Sequence, residues 1–250
     1  ANDFTKQDCE LLEIFSQHVA SAIRRLRELE EQRRYEERLE ALHRHVHELG
    51  LANNMDDVAA ATFRAIQQTL GFDRGSFGIV DDGFINFSLV WGFGISSIAK
   101  LPLDGPGITV RAIRTGETQL LHDVRRDKDF LSGQSNETKT SLSELDVPIK
   151  VQGKAVALIN IESCELDAFT EEDKRLIEIF ADHVASAMIR IRNEKERRRY
   201  EERLEFLHQH ANELSTASTV REIGEATLNA IEHVFGFNRG SFAVVEGNTL

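Results

Sequence analysis

Three histidines, His43, His45 and His47, lie close together in the segment HRHVHELG. His43 and His47 are four residues apart, a spacing that places two imidazoles on one face of a helix and can hold a metal ion. A second version of this segment, HQHANELS at 208–215, carries Asn212 where the first has His47. Only the pair two residues apart recurs, and such neighbours point in different directions on a helix, so we predict no metal site.

The remaining nucleophiles form no catalytic pattern. Cys9 and Cys164 are the only cysteines, which gives no disulfide framework and favours a reducing, cytoplasmic location. The sequence contains no Gly-rich phosphate loop, no Ser–His–Asp order and no evident pair of catalytic carboxylates. We therefore predict a non-catalytic segment and assign no catalytic residue.

Composition excludes several classes of partner. The 250 residues carry a formal net charge of −12, whereas nucleic acids and anionic membranes both require a basic surface. No apolar run approaches the length of a transmembrane helix, so we expect no membrane contact by this segment.

The chain repeats itself at the scale of a whole domain. Residues 4–85 align without a gap to residues 169–250, and about half of the aligned pairs are identical. The phrase RRYEERLE, for example, occurs at 33–40 and again at 198–205. The repeat predicts the end of one domain, a complete second domain and the beginning of a third.

Long helices should join these domains. From Gln7 to Leu49 there is neither Pro nor Gly. Apolar residues are spaced three and four apart in two runs, and the second run is out of phase with the first by one position. The first run contains Leu12, Phe15, Val19, Ala22, Leu26 and Leu29, and the second contains Leu39, Leu42, Val46 and Leu49. Such a narrow seam is typical of a coiled coil, and a phase break marks a place where two packings compete. We therefore expect a homodimer formed through the linker helices, with a solvated single helix as the alternative.

The central domain should be α+β. Strand-like runs flank turns at Asp81-Asp82-Gly83 and at Gln152-Gly153, and a short helix is predicted between Gly107 and Gly116. This order predicts a mostly antiparallel sheet with the long helices on one face. The short helix and the polar segment 123–142 should cover the other face.

Five segments in this order resemble the GAF domain family: GFDRGSFGIV, GPGITVRAIRTGE, LLHDVRRDKDF, SELDVPIKVQGKAVALINIES and AFTEEDKRLIEIFADHVASAM. The resemblance implies a tandem GAF array of a signal-transduction protein, such as a sensor histidine kinase. The implied domains are a preceding C-terminal helix (1–30), a helical linker (31–52), a complete GAF domain (53–192), a second linker (193–217) and the start of a following GAF domain (218–250).

The resemblance also implies a small-molecule site between the sheet and its covering segment. Carried over to this sequence, the family's contact positions are Trp91, Ile108, Thr109, Phe130, Thr138 and Ser141. Alternatively, Trp91 and Phe93 simply fill the core beneath the cover.

Several ligands known in the family fit this sequence poorly. The cyclic-nucleotide-binding members carry Asn-Lys after the last strand, where this chain has Glu162 and Ser163. Bilin-binding and sulfoxide-reducing members need pocket cysteines, which the placement of Cys9 and Cys164 does not provide. His122 is the histidine nearest to the predicted pocket, and it offers only a weak case for haem. The sequence therefore leaves the cofactor and the ligand unknown.

Three functions remain open. The first is a sensory module in which an unknown small molecule shifts the terminal helices of a dimer. The second is a ligand-free GAF module that dimerises and spaces other domains. The third, a haem or redox sensor domain, is the least favoured.

Overall fold

The computed structural model describes residues 5–72, 74–92, 100–131, 141–237 and 239–245. The described residues form five α-helices: α1 (Lys6–Leu51), α2 (Met55–Leu70), α3 (Ile108–Thr115), α4 (Glu171–Thr216) and α5 (Val220–Phe235). A single 3-10 turn covers Val124–Arg126. None of the described helices is both long and apolar enough to cross a membrane.

Six strands form one antiparallel sheet. They are β1 (Gly75–Asp81), β2 (Phe84–Trp91), β3 (Lys100–Pro102), β4 (Gln119–Leu121), β5 (Ser143–Val151) and β6 (Lys154–Ser163). Their order across the sheet is β3-β2-β1-β6-β5-β4, and every neighbouring pair is antiparallel. The predicted α+β class is confirmed. β3, whose three residues KLP include a proline, was not predicted from the sequence.

The repeated sequence gives the two long helices, α1 and α4, the same N-terminal cap. Thr5 caps α1, since its hydroxyl accepts from the amide of Asp8 and the Asp8 carboxylate accepts from the Thr5 amide. Thr170 and Asp173 make the same reciprocal pair at the start of α4. This capping box satisfies amides that the first turn of a helix leaves without partners.

One face of the sheet, here called the α2 face, packs against helices. Phe63 of α2 meets Phe77 of β1 edge to face, with ring centroids 6.3 Å apart. Phe180 of α4 contacts His45 of α1 at 4.5 Å between ring centroids. All four side chains are buried, so these helices and β1 share one core.

The second apolar run of α1, predicted to form part of a coiled-coil seam, is divided between the domain core and the surface. The residues of this part of α1 that pack into the core are Ala41, His45 and Leu49, which are spaced four apart. Leu39 and Val46 are 41% and 45% exposed. The seam therefore splits: its last residue, Leu49, joins the domain, while Leu39 and Val46 face outward.

The first apolar run of α1 has buried counterparts in α4. By the repeat, Phe15 corresponds to Phe180, yet Phe15 is 63% exposed and Phe180 is 0% exposed. Val19 and its counterpart Val184 differ in the same way. A spacing of three and four residues is common to a coiled coil and to a helix packed on a domain, so this run alone does not distinguish them.

The opposite face of the sheet, here called the α3 face, carries the short helix α3. Val110, Ala112 and Ile113 of α3 form a buried cluster with Ile85 of β2 and Leu158 of β6. The predicted short helix thus covers this face, while residues 132–140 of the predicted covering segment 123–142 lie outside the described residues.

The contact pattern divides the chain into two units, Ala1–Ile189 and Arg190–Leu250. In the second unit, Phe206 of α4 stacks on His233 of α5 with ring centroids 4.7 Å apart. The described residues of this unit contain no strand. GSFAVV follows α5 as GSFGIV follows α2, but here it has no neighbouring strand to complete a ladder.

Candidate functional site

A row of polar side chains crosses the centre of the α3 face. Asp146 of β5, Asn160 of β6 and Ser76 of β1 are paired across the three strands. Glu144 and Glu162 form the next pair on β5 and β6. Asn160 lies two residues from Leu158, whose side chain packs with α3, and alternate residues of a strand share one face. The row therefore lies on the side of the sheet that α3 covers.

Asn160 organises this cluster. Its Nδ2 donates to Glu144 Oε1 at 2.9 Å and to Asp146 Oδ1 at 3.1 Å. Its Oδ1 accepts from the Ser76 hydroxyl at 3.2 Å. Both amide hydrogens of Asn160 are thereby used, because a side-chain amide offers only two.

Asp146 is left with an unsatisfied oxygen. Its side chain is fully buried, and Oδ2 has no hydrogen-bond partner among the described residues. Buried polar atoms in native proteins are nearly always paired, so each exception needs an explanation. Glu144, whose carboxyl also shares a hydrogen bond with Asp146, is the neighbouring group that a donor from a bound molecule would displace.

Burial changes the protonation of the cluster. Loss of hydration raises the pKa of Asp146 to about 7. Loss of hydration, together with the nearby charge of Asp146, raises the pKa of Glu144 well above its usual range. Loss of hydration also raises the pKa of Glu162. The cluster therefore holds protons that ordinary carboxylates release at neutral pH.

The cluster is tied to the chain on either side of it. The Ser141 hydroxyl donates to Glu162 Oε2, and the buried Ser143 hydroxyl donates to the Glu165 carbonyl at 2.7 Å. Arg74, just before β1, donates from Nη1 to the Cys164 sulfur. These contacts connect the ends of β5 and β6 to the segment that leads into α4.

Arg111 of α3 holds the turn beside the cluster. Its guanidinium donates to Asp127 at 2.6 and 3.0 Å and to Asp129 at 2.8 Å. It also donates from Nε to Gln119 Oε1 at 2.9 Å. Charge-assisted bonds of this kind are the stronger ones in proteins, so Arg111 fixes the turn that precedes Phe130.

The structure brings only some of the predicted ligand-site residues together. Ile108 is buried and Thr109 half-buried on α3, Phe130 is half-buried after the 127–129 turn, and Ser141 contacts the carboxylate cluster. Thr138 and Phe93 lie outside the described residues.

Trp91 lies on the other side of the sheet. Its ring packs on Phe63 of α2, with centroids 3.4 Å apart, and reaches over Gly75. A side chain at Gly75 would overlap the Trp91 ring, so the absence of one makes room for this packing. Trp91 is therefore separated from the α3-face row by the sheet. The alternation of side chains along β2 did not predict this position, because the pairing of β2 with β1 shifts its register between Phe77 and Gly78 of β1.

Sequence reasoning missed the carboxylates themselves. Leu145 and Val147 alternate with Glu144 and Asp146 along β5, so the two acidic residues must face the opposite side of the sheet from these apolar ones. Because that side was predicted to be covered, two acidic residues there signalled a buried polar site.

His45, His122 and Cys9 fall outside this site. His45 is 1% exposed, and neither of its ring nitrogens has a partner among the described residues. His122 lies 3.2 Å from Asp167 at the surface, and Cys9 is exposed. In the described part of the chain, no three His, Cys, Asp or Glu side chains are arranged to hold a metal ion.

Comparison with known proteins identifies the fold. The free methionine-R-sulfoxide reductase of Neisseria meningitidis, solved with its substrate, is 20% identical with a TM-score of 0.56 over 62% of this chain and 90% of its own. The GAF domain of a phosphoenolpyruvate-protein phosphotransferase from Coxiella burnetii is 20% identical with a TM-score of 0.56, over 64% of this chain and 96% of its own. Part of a methyl-accepting chemotaxis protein gives 21% identity and a TM-score of 0.51, over 59% of this chain and 96% of its own.

A comparison with curated proteins gives no match. At such low identity, the solved structures establish a shared fold alone. The family model of the GAF domain matches residues 52–188, which include the sheet, α3 and the first part of α4. The chain therefore belongs to the GAF domain family.

Proposed function

We propose that this chain is a non-catalytic sensory segment of a cytoplasmic signal-transduction protein, such as a sensor histidine kinase. In this proposal, a small molecule binds on the α3 face of the complete GAF domain, and tandem domains pass the change along dimeric linker helices. GAF domains are typically regulatory parts of signalling proteins, which supports the general class.

The observation that carries the proposal is the unsatisfied Asp146 oxygen beneath α3. A group without a partner in a buried position lowers the stability of the domain, and such arrangements concentrate at functional sites. Trp91, which could have filled a pocket on this face, packs on the other face instead.

A continuous set of contacts connects the cluster to α4. Glu162, in the cluster, is followed by Ser163, whose carbonyl accepts from the Leu142 amide at 2.7 Å. The segment then reaches Phe169, which is buried and packs on Phe72 with centroids 4.6 Å apart. Thr170 caps α4 next. A ligand that favours one arrangement of this segment would shift α4 only through its different affinity for the two arrangements.

The linker helices supply a surface for a second copy of this chain. Tyr35 and Leu39 on α1 are exposed, and so are their repeat counterparts Tyr200 and Leu204 on α4. The four-residue spacing places each pair on one side of its helix. Because the same stripe stays exposed in both repeats, we assign it to pairing between identical helices.

Native mass spectrometry of the complete 250-residue chain, purified from cell extract, tests this proposal. The expected result is a dimer with additional small-molecule mass that disappears under denaturing conditions. A dimer without added mass would favour the ligand-free spacer. A monomer would contradict the dimeric linker.

A further inference from the structure

We infer that the carboxylate cluster of Asp146, Glu144 and Glu162 binds the cationic nitrogen of the ligand, an ammonium or guanidinium group. This inference rests on the proposed sensory function and adds the chemical class of the ligand.

The geometry leaves one acceptor position open inside the cluster. Asn160 donates to Asp146 Oδ1 and to Glu144 Oε1, so these two oxygens lie within about 6 Å of each other. Asp146 Oδ2 has no donor among the described residues, although Asp146 is 0% exposed. A donor held between these carboxylates would satisfy that oxygen.

The charges facing Asp146 favour a positively charged donor. Glu162 on β6 adds negative potential at Asp146, whereas Glu144 on the same strand as Asp146 shares a hydrogen bond with it. Two cations act on the cluster: Arg111 on α3, whose guanidinium donates to Asp127 and Asp129, acts on Asp146, and Arg74 before β1 acts on Glu162. Burial keeps protons on these three carboxyl groups, and a cation that displaces such a proton lets the carboxylates ionise without mutual repulsion, which a neutral ligand cannot do.

A nitrogen cation suits the site better than a metal ion. In the described part of the chain, these carboxylates do not converge in an arrangement that could hold a metal. Ammonium and guanidinium groups form short charge-assisted bonds to carboxylates, and they carry the donors that Asp146 Oδ2 lacks. An anionic ligand would be repelled by the same groups.

Proton release should accompany binding. The pKa of Asp146 is about 7, so part of the protein carries a proton there at neutral pH. A bound cation favours the ionised carboxylate, and the displaced proton passes to the buffer. Affinity should therefore rise between pH 6 and pH 8.

The test titrates the complete chain with agmatine, putrescine and L-arginine, and with the uncharged counterparts 1,4-butanediol and L-citrulline. Calorimetry in two buffers of different ionisation enthalpy measures both affinity and proton release. We expect at least one cation to bind about tenfold more tightly than its counterpart and to release protons at pH 7.

Two conservative variants and a control localise the effect. Asp146→Asn and Glu144→Gln should each weaken binding of that cation about tenfold or more, with an unchanged unfolding midpoint or a higher one. Glu165→Gln alters an exposed carboxylate on the segment after β6 and should leave binding unchanged.

The inference is overturned if no cation binds, if the uncharged counterparts bind equally well, or if Asp146→Asn binds like the wild type. A neutral or anionic molecule found on the purified chain would overturn the chemical class and leave the sensory function standing. A chain that binds no probe and carries no added mass would contradict both.

Discussion

On the α2 face, Phe77 packs edge to face on Phe63 from the helical layer. On the α3 face of the same strands, Ser76 and Asn160 meet a buried carboxylate that still lacks a donor. Strand alternation puts these two sets one residue apart in the sequence. The α2 face gains stability from apolar contact, although it also buries the imidazole of His45, whereas the α3 face retains a cluster of three carboxyl groups at a cost in stability. This difference indicates that the α2 face is a scaffold and that the α3 face serves recognition.

The largest expected effect tests the scaffold. Phe180→Ala should lower the free energy of unfolding by about 3–5 kcal/mol, because a fully buried ring would be replaced by a cavity. Urea unfolding of the complete chain measures the loss. The repeat provides a matched control, since Phe15→Ala removes the equivalent but exposed ring of α1. Equal losses in the two variants would contradict the burial assigned to α4.

The second effect concerns acid and the buried His45. Burial, aided by the charge of His183, lowers the pKa of His45 from 6.5 to about 4, while the backbone of Phe180 and the charge of Glu48 act in the opposite direction. Between these values the unfolded chain binds a proton that the folded chain does not. Stability is therefore complete above pH 6.5 and falls as the pH drops toward 4, by on the order of 3 kcal/mol.

Comparison of His45→Gln with the wild type isolates this contribution. The variant should lose less stability between pH 6.5 and pH 4, as measured by urea unfolding at each pH. His43→Gln changes an exposed neighbour and should retain the wild-type slope. If His45→Gln also retained that slope, the buried imidazole would not be the group responsible.

The third effect concerns Asp146 on the α3 face, where the dependence of stability on pH is opposite to that of His45. The raised pKa of Asp146 means that the folded chain holds a proton that the unfolded chain loses. Stability from this group is present at low pH and is lost as the pH rises toward 7 and above. Asp146→Asn should remove that loss and stabilise the unliganded chain at pH 8 by about 2 kcal/mol, since Glu144 shares part of the effect. A destabilised variant at pH 8 would show that the carboxylate is favourably bound within the protein.

The smallest effect concerns the turn beside the site. Arg111→Gln should cost about 1–2 kcal/mol, because it removes partly buried charge-assisted bonds to Asp127 and Asp129. Arg125→Gln breaks a more exposed pair with Asp123 and should cost less than Arg111→Gln. Equal costs would show that Arg111 does not fix the turn.

The sequence predicted the scaffold better than the site. The hairpin of β5 and β6 followed from the alternation of Leu145, Val147 and Ile149, because apolar residues in one phase of a strand must meet a core. The lack of Pro and Gly between Gln7 and Leu49, together with the repeat, likewise predicted the long helices α1 and α4.

Three features depended on contacts between distant residues. The side of the sheet that Trp91 covers depends on Gly75 and Phe63, which are distant from it in the sequence. Phe180 is buried and its repeat counterpart Phe15 is exposed because different residues surround the two helices, which the local sequence does not show. Asn160 bridges two carboxylates only once β5 and β6 are paired in register.

The most direct test of the difference between the two faces is a titration of the carboxyl groups of the unliganded chain by carbon-13 NMR. The account predicts that the side-chain carboxyl carbon of Asp146 titrates with a midpoint at about 7. A midpoint near the ordinary aspartate value of about 3.9 would mean that the cluster is hydrated or internally paired, and it would contradict a recognition site on the α3 face.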